Sequence, residues 1–216
     1  MKLKFLIKKY LSDTPFRVRI SLYVSFLFNL IYAFFKLGTG LYYRSVWWSA
    51  VAVYYILLSS IRFALLRYLN RPDGNTVNAF EKYRLCGVFM AGLNIYLSIM
   101  VFVMLRYHQP IIYSDLVIVA SAFYTFCTVS LSVIDIARYR KHEDPLLSAA
   151  NKVRFATALV SLFSLETAIL SSYGSNENLR QTVKGITGFA ICGVILGLSA
   201  YMIIYSSKKI AEIGKK

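Results

Sequence analysis

Two ionisable side chains, Lys36 and Glu166, lie deep inside long apolar segments of this 216-residue chain. Counted at the rise of an α-helix, Lys36 lies about 10 Å and Glu166 about 9 Å from the same end of their segments. A lone charge at that depth in a bilayer costs several kcal/mol, so each side chain needs a partner or water. Their equal depth predicts an ion pair, either a gating or proton-coupling pair or a structural pair that fixes helix register.

Other polar positions inside the apolar segments are candidates for a solute pathway or for contacts between helices. We expect Arg62 to reach the lipid headgroups and Asp135 to pair with Arg62 or with Arg138. Asn29 is of the type that hydrogen-bonds between helices within a membrane. The candidate polar core of a transporter comprises Lys36, Glu166, Tyr54, Thr157 and Asn29.

Long apolar segments must position these side chains. The chain is 57% hydrophobic and 16% charged, whereas a soluble domain has about 25% charged residues. Six apolar runs are long enough to cross a hydrocarbon core of about 30 Å, and they must be helical because lipid offers no partner for free backbone groups. The predicted spans are residues 20–43, 46–69, 83–106, 112–137, 148–172 and 184–206. The fold class is therefore an all-α bundle of six transmembrane helices over residues 20–206, with basic tails at 1–19 and 207–216.

The distribution of basic residues predicts the topology. The net charge of +15 would suit a nucleic-acid partner, but the lysines and arginines cluster between apolar runs, so we expect none. Most of them lie in the two tails and in the segments joining spans two to three and four to five. The positive-inside rule then places both termini in the cytoplasm. We expect a multi-pass protein of a bacterial cytoplasmic (plasma) membrane, whose first tail is either an interfacial helix or a disordered basic segment.

Catalytic and metal-binding motifs are not recognised in the sequence. His108 and His142 fall on opposite sides of the predicted membrane, and no metalloprotease, hydrolase or nucleotide-binding motif occurs. We therefore predict no enzyme activity, no metal and no cofactor, with the lipid bilayer as the main partner. Gly193 and Gly197 form a GxxxG pattern, which serves either a homodimer or close packing inside the bundle.

Residues 29–66 resemble the opening of the cation diffusion facilitator family, which exports divalent metals in exchange for protons. The family has a Lys in its first span, a Gly four positions later and a Ser nine positions after the Lys. Here these residues are Lys36, Gly40 and Ser45. The resemblance implies six spans with cytoplasmic termini, which the charge pattern predicts independently. The chain is also similar to other bacterial six-span membrane proteins with this pattern.

The family's metal ligands do not carry over to this chain. The second-span ligand positions correspond to Tyr54 and Leu58, and the HxxxD pair of the fifth span corresponds to Val153 and Thr157. Valine and leucine supply none of the N, S or O ligands that zinc requires. The resemblance therefore implies a cation-efflux-type scaffold without a recognisable divalent-metal site.

Two functional classes remain open. The first is a transporter-like membrane protein, and the alternative is a non-transporting scaffold or partner subunit of a larger complex. The positions of five polar residues separate the two classes. Transport is favoured if they all face one cavity, and the scaffold is favoured if they are scattered. These residues are Thr39, Tyr54, Thr128, Thr157 and Glu166.

Overall fold

The computed structural model describes residues 14–70, 76–106, 113–139, 144–174 and 176–214. These residues form six α-helices and no strand. They are α1 (Thr14–Tyr42), α2 (Val46–Asn70), α3 (Thr76–Arg106), α4 (Asp115–Tyr139), α5 (Pro145–Tyr173) and α6 (Glu177–Ile213). Each helix is long and apolar enough to cross a membrane. The chain is therefore an all-helical, multi-pass membrane protein.

Several helices extend beyond the predicted apolar spans. The third helix begins at Thr76 rather than near residue 83, and α6 runs from Glu177 to Ile213 rather than over 184–206. Backbone hydrogen bonding continues through polar turns in which hydropathy has already fallen, so helix ends and apolar ends differ. The predicted interfacial segment within residues 1–11 lies outside the described residues.

Short polar segments begin the last two helices. The Asp144 side chain accepts a hydrogen bond of 2.9 Å from the backbone N–H of Leu146, and Pro145 occupies the first turn. Asn176 caps α6 by accepting from the backbone N–H groups of Asn178 and Leu179. Both arrangements satisfy donors that a helix start leaves without partners.

The helices pack as three neighbouring pairs around a buried centre. The pairs are α1 with α2, α4 with α5, and α3 with α6, and α5 also contacts α2, α3 and α6. The buried share is 56% in the span of α2 and 61% in that of α5, but 28% in those of α3 and α6. The second and fifth helices are therefore central, while most of α3 and α6 faces outward.

The bundle has two ends, which we call the hairpin end and the tail end. The hairpin end carries the α1–α2 corner at Arg44. Tyr113 lies at this end, since its hydroxyl is hydrogen-bonded to the Ser45 hydroxyl and its backbone N–H donates to Ser172 Oγ near the end of α5. The tail end carries the end of α2, the end of α4 and the start of α5.

The GxxxG glycines of α6 face away from the bundle. A Cβ atom built on Gly193 or Gly197 would meet nothing within 4 Å. At Gly188, by contrast, a Cβ atom would lie 2.8 Å from a methyl of Val101 and 2.9 Å from the ring of Phe163. Close packing inside the bundle therefore uses Gly188, and not the predicted pair.

Candidate functional site

Four helices place lines of buried polar side chains in the centre of the bundle. On each helix the residues recur at intervals of three, four or seven, which keeps them on one face. We call this set the polar axis: Ser25, Asn29 and Lys36 on α1, Ser59 and Arg62 on α2, Thr125, Thr128, Ser132 and Asp135 on α4, and Arg154, Thr157, Ser161 and Ser164 on α5.

Lys36 lies at the hairpin end of the polar axis and is completely buried. Its Nζ donates a 2.8 Å hydrogen bond to Ser164 Oγ and lies 3.3 Å from the ring centroid of Trp48. A cation over an indole face is attracted by the ring quadrupole, most strongly where water is excluded. No carboxylate of the described residues lies within ion-pair distance of Lys36 Nζ. The ring and one hydroxyl are therefore its main stabilising contacts.

The predicted ion pair between Lys36 and Glu166 is wrong. Glu166 follows Ser164 by two residues on α5, which is a rotation of about 200° around the helix. Its Oε1 accepts a 3.0 Å hydrogen bond from Thr187 Oγ1 on α6. Lys36 contacts Ser164, two residues from Glu166, so the two charged residues lie at a similar level of the bundle, but that level does not decide which face of a helix a residue occupies.

Asn29 connects three helices at the middle of the axis. Its Nδ2 donates to Ser59 Oγ at 2.6 Å and to the backbone oxygen of Tyr55 at 3.2 Å. Its Oδ1 accepts a 2.7 Å hydrogen bond from the Tyr124 hydroxyl. Both ends of the amide are therefore satisfied without water, as a polar group inside a membrane requires.

Three tyrosines fill the axis beside Asn29. The rings of Tyr32 and Tyr124 stack with centroids 3.5 Å apart, and Tyr55 packs edge-on against both. The buried hydroxyls of Tyr32 and Tyr55 have no hydrogen-bond partner among the described residues. These rings separate the polar groups near Lys36 from those near the tail end.

Arg62 does not reach the headgroups, contrary to the prediction. It is 3% exposed, and its guanidinium donates to Ser25 Oγ at 2.7 Å, to the Ser25 carbonyl at 3.2 Å and to Thr157 Oγ1 at 2.7 Å. The side chain points into the bundle because these oxygen acceptors on α1 and α5 face it. Arg62 is thus a buried cation whose hydrogen bonds all go to neutral groups.

Asp135 pairs with Arg154 of α5, so the predicted pair with Arg62 is wrong, and the side chain of the alternative partner Arg138 lies outside the described part of the chain. Arg154 is 3% exposed because α5 begins at Pro145, which places Arg154 more than two turns inside the helix. Arg154 falls inside the predicted fifth span, residues 148–172, but was not among the predicted polar-core residues. Its spacing from Thr157, Ser161 and Ser164 is the helical signal that would have placed it in the core.

A small cavity of about 10 Å³ lies between the two buried arginines. That is close to the space that one water-sized sphere occupies. Its lining comprises Ser25, Phe28, Arg62, Tyr124, Thr128, Leu131 and Arg154.

The three motif residues of the first two spans lie at or near the α1–α2 corner. A Cβ atom on Gly40 would lie 2.6 Å from Ser49 Oγ and 2.7 Å from Ser49 N, so the two helices approach closely there. The Ser45 hydroxyl accepts from the backbone N–H of Trp48 and shares a 3.0 Å hydrogen bond with the Tyr113 hydroxyl. Burial raises the pKa of Tyr113 to about 12.

The positions aligned with the family's metal ligands are buried and mostly apolar. Tyr54, Leu58 and Val153 belong to the hydrophobic core, and Thr157 is the acceptor of Arg62. Within the described part of the chain, no group of three or more His, Cys, Asp or Glu residues is arranged to hold a metal ion. His108 and His142 lie outside that part.

Comparisons of the chain with protein-family models, with curated proteins and with solved structures gave no match.

Proposed function

We propose that this membrane protein is transporter-like and carries a small anion along the polar axis. The observation that supports this most directly is the charge of the axis. Among the described residues its ionisable members are three cations, Lys36, Arg62 and Arg154, and one carboxylate, Asp135. Charges inside a membrane are expensive and typically mark solute pathways. A path with excess positive charge attracts anions and repels cations.

The likeness of residues 29–66 to the cation diffusion facilitator family supports the transporter-like scaffold in this proposal. It does not extend to the cargo, because excess positive charge on the axis disfavours a divalent cation. A bacterial plasma membrane and cytoplasmic termini remain predictions from the distribution of basic residues.

Transport along this axis requires the tyrosines to move. Tyr32 and Tyr124 are stacked between the level of Lys36 and that of Arg62, and Tyr55 closes the same region. Alternating access in transporters relies on one group of helices rocking against another around such a closed region. We therefore assign the conformation described here to a closed state.

A second candidate is the non-transporting scaffold or partner subunit, and the scatter of the five test residues favours it. Thr39 hydrogen-bonds to the carbonyl of Phe35 in its own helix, and Tyr54 lies in the hydrophobic core. Glu166 faces α6. Of the five, Thr128 lines the small cavity and Thr157 borders it through Arg62.

Solute flux in proteoliposomes separates the two candidates. The purified protein is reconstituted and tested for efflux of chloride, nitrate and phosphate and for uptake of Zn²⁺, Mn²⁺, Na⁺ and K⁺, with and without a pH gradient. The test variants are Lys36→Gln and Arg62→Gln. The matched controls are Lys184→Gln and Glu166→Gln, since both residues lie at the α5–α6 side and off the axis.

We expect anion flux that falls at least tenfold in both test variants and stays within twofold of the wild-type value in both controls. Absence of flux for every ion, with all variants folded, would favour the scaffold. Flux of a divalent cation without anion flux would contradict the charge argument.

A further inference from the structure

The small cavity at the tail end of the axis has the composition of an anion-binding site. Arg62 and Arg154 are both 3% exposed, and both line it. Asp135 is the one carboxylate of the polar axis, and it pairs with Arg154. Arg62 has no carboxylate within ion-pair distance among the described residues. We propose that the cavity between Arg62 and Arg154 binds a single halide ion, with chloride as the physiological ligand.

The charge of Arg62 is not compensated by any carboxylate of the described residues. A buried cation without a counter-charge is strongly destabilising, because neutral acceptors offset only part of the lost hydration. A water molecule in the cavity would leave that charge unbalanced, whereas an anion would neutralise it.

Arg62 and Ser25 both have hydrogen-bond donors that a ligand in the cavity can use. A guanidinium has five N–H donors, and Arg62 uses three hydrogen bonds, two to Ser25 and one to Thr157. The Ser25 hydroxyl accepts from Arg62, so its own hydrogen is available to a ligand. The cavity therefore offers donors of the charge-assisted kind that anions prefer.

The volume of the cavity limits the class of anion that it can bind. At about 10 Å³ the cavity holds one sphere of roughly the size of water. Phosphate, sulfate and carboxylates have several heavy atoms and would require the helices to separate. A monatomic halide fits with side-chain adjustment of Phe28 and Leu131, which form the apolar part of the lining.

The site is distinct from Lys36. Ser25, which Arg62 contacts, precedes Lys36 by eleven residues on α1, an axial distance of about 16 Å. Halide binding is measured without transport, so this inference and the proposed transport function can fail separately.

Thermal unfolding of the full-length protein in detergent tests the site. Sodium chloride is titrated against sodium gluconate at constant ionic strength, and a ligand that binds the folded state raises the unfolding temperature with saturation. We expect a saturable rise of several degrees for the wild-type protein and for the off-axis control Lys184→Gln, and no rise for Arg62→Gln. Ser25→Ala should retain the rise but require at least threefold more chloride at half-saturation.

Bromide anomalous diffraction from crystals of the unaltered protein provides a readout that no variant can confound. We expect one bromide peak in the cavity within hydrogen-bond distance of Arg62. A chloride response that persists unchanged in Arg62→Gln, or an absent response together with no bromide peak, would overturn the halide site. Halide binding without flux would instead overturn the transport proposal and leave this site in place.

Discussion

Arg62 of α2 donates a 2.7 Å hydrogen bond to Thr157 of α5, and this contact joins the two most buried helices near the tail end. Thr157 Oγ1 in turn donates to the carbonyl of Val153 in its own helix. One hydroxyl thus accepts from a buried cation while its own hydrogen is satisfied. Removal of that hydroxyl isolates its contribution without changing the side-chain volume by much.

Thr157→Val should destabilise the protein by about 2 kcal/mol, because it leaves a buried charged donor with one acceptor fewer. Thr157→Ser keeps the hydroxyl and should lose less than half of that. The measurement is chemical unfolding in detergent, with Ser60→Ala as an exposed control whose hydroxyl bonds only to its own helix. Equal effects of Thr157→Val and Ser60→Ala would show that the Arg62 contact contributes nothing.

Gly40→Ala should destabilise the α1–α2 corner by about 1–3 kcal/mol, since the new methyl overlaps the backbone nitrogen of Ser49. Gly38→Ala is the matched control two residues earlier on α1, where a Cβ atom would meet nothing within 4 Å. That substitution should leave stability unchanged or raise it by up to about 1 kcal/mol, because alanine favours helix over glycine. The same unfolding assay compares the two, and equal losses would contradict the close approach at Gly40.

Lys36 and Trp48 should show a coupling free energy of about 1–2 kcal/mol in a double-mutant cycle. The four proteins are wild type, Lys36→Met, Trp48→Leu and the double variant, and the unfolding free energy of each is measured under the same conditions. Loss of the indole should be less harmful once the cation is gone, because the 3.3 Å contact is then absent. Additive losses would show that the ring does not stabilise the lysine.

Single cysteines should report the predicted orientation. In a background with Cys86, Cys127 and Cys192 replaced by alanine, Glu177→Cys marks the hairpin end and Lys208→Cys marks the tail end. Both native side chains are exposed. A membrane-impermeant thiol reagent added to intact cells should label Glu177→Cys and should label Lys208→Cys only after permeabilisation. The reverse pattern would contradict the orientation inferred from the positive-inside rule.

Helix number and approximate bounds were predictable because membrane spans follow from apolar length, which a sequence displays directly. The predicted start of the fifth span, residue 148, lies three residues inside α5, which Asp144 caps and Pro145 begins. The depth of Lys36 followed from counting residues along its span. Each of these predictions uses the residues of a single segment and does not require knowledge of the helices that pack against it.

The partners of the charged residues were not predictable in the same way, because they depend on which helix faces which. Glu166 lies at the level of Lys36, but it is on the face of α5 that contacts α6. Ser164, on the other face of α5, makes the hydrogen bond with Lys36 instead. Arg154 was not predicted as a core residue, although it lies within the predicted span of residues 148–172 and pairs with Asp135 of α4. The spacing of polar residues on α5 carries the missing information, although it does not identify α1 and α2 as the facing helices.

Simultaneous uptake of labelled chloride and labelled zinc by the same proteoliposomes tests most directly the central claim that the polar axis carries anions. Both ions are offered to one preparation at equal concentration, with protein-free vesicles as the blank. A polar axis with excess positive charge predicts chloride uptake at least tenfold above the blank and zinc uptake equal to it. Zinc uptake above the blank, with chloride at the blank value, would contradict the account.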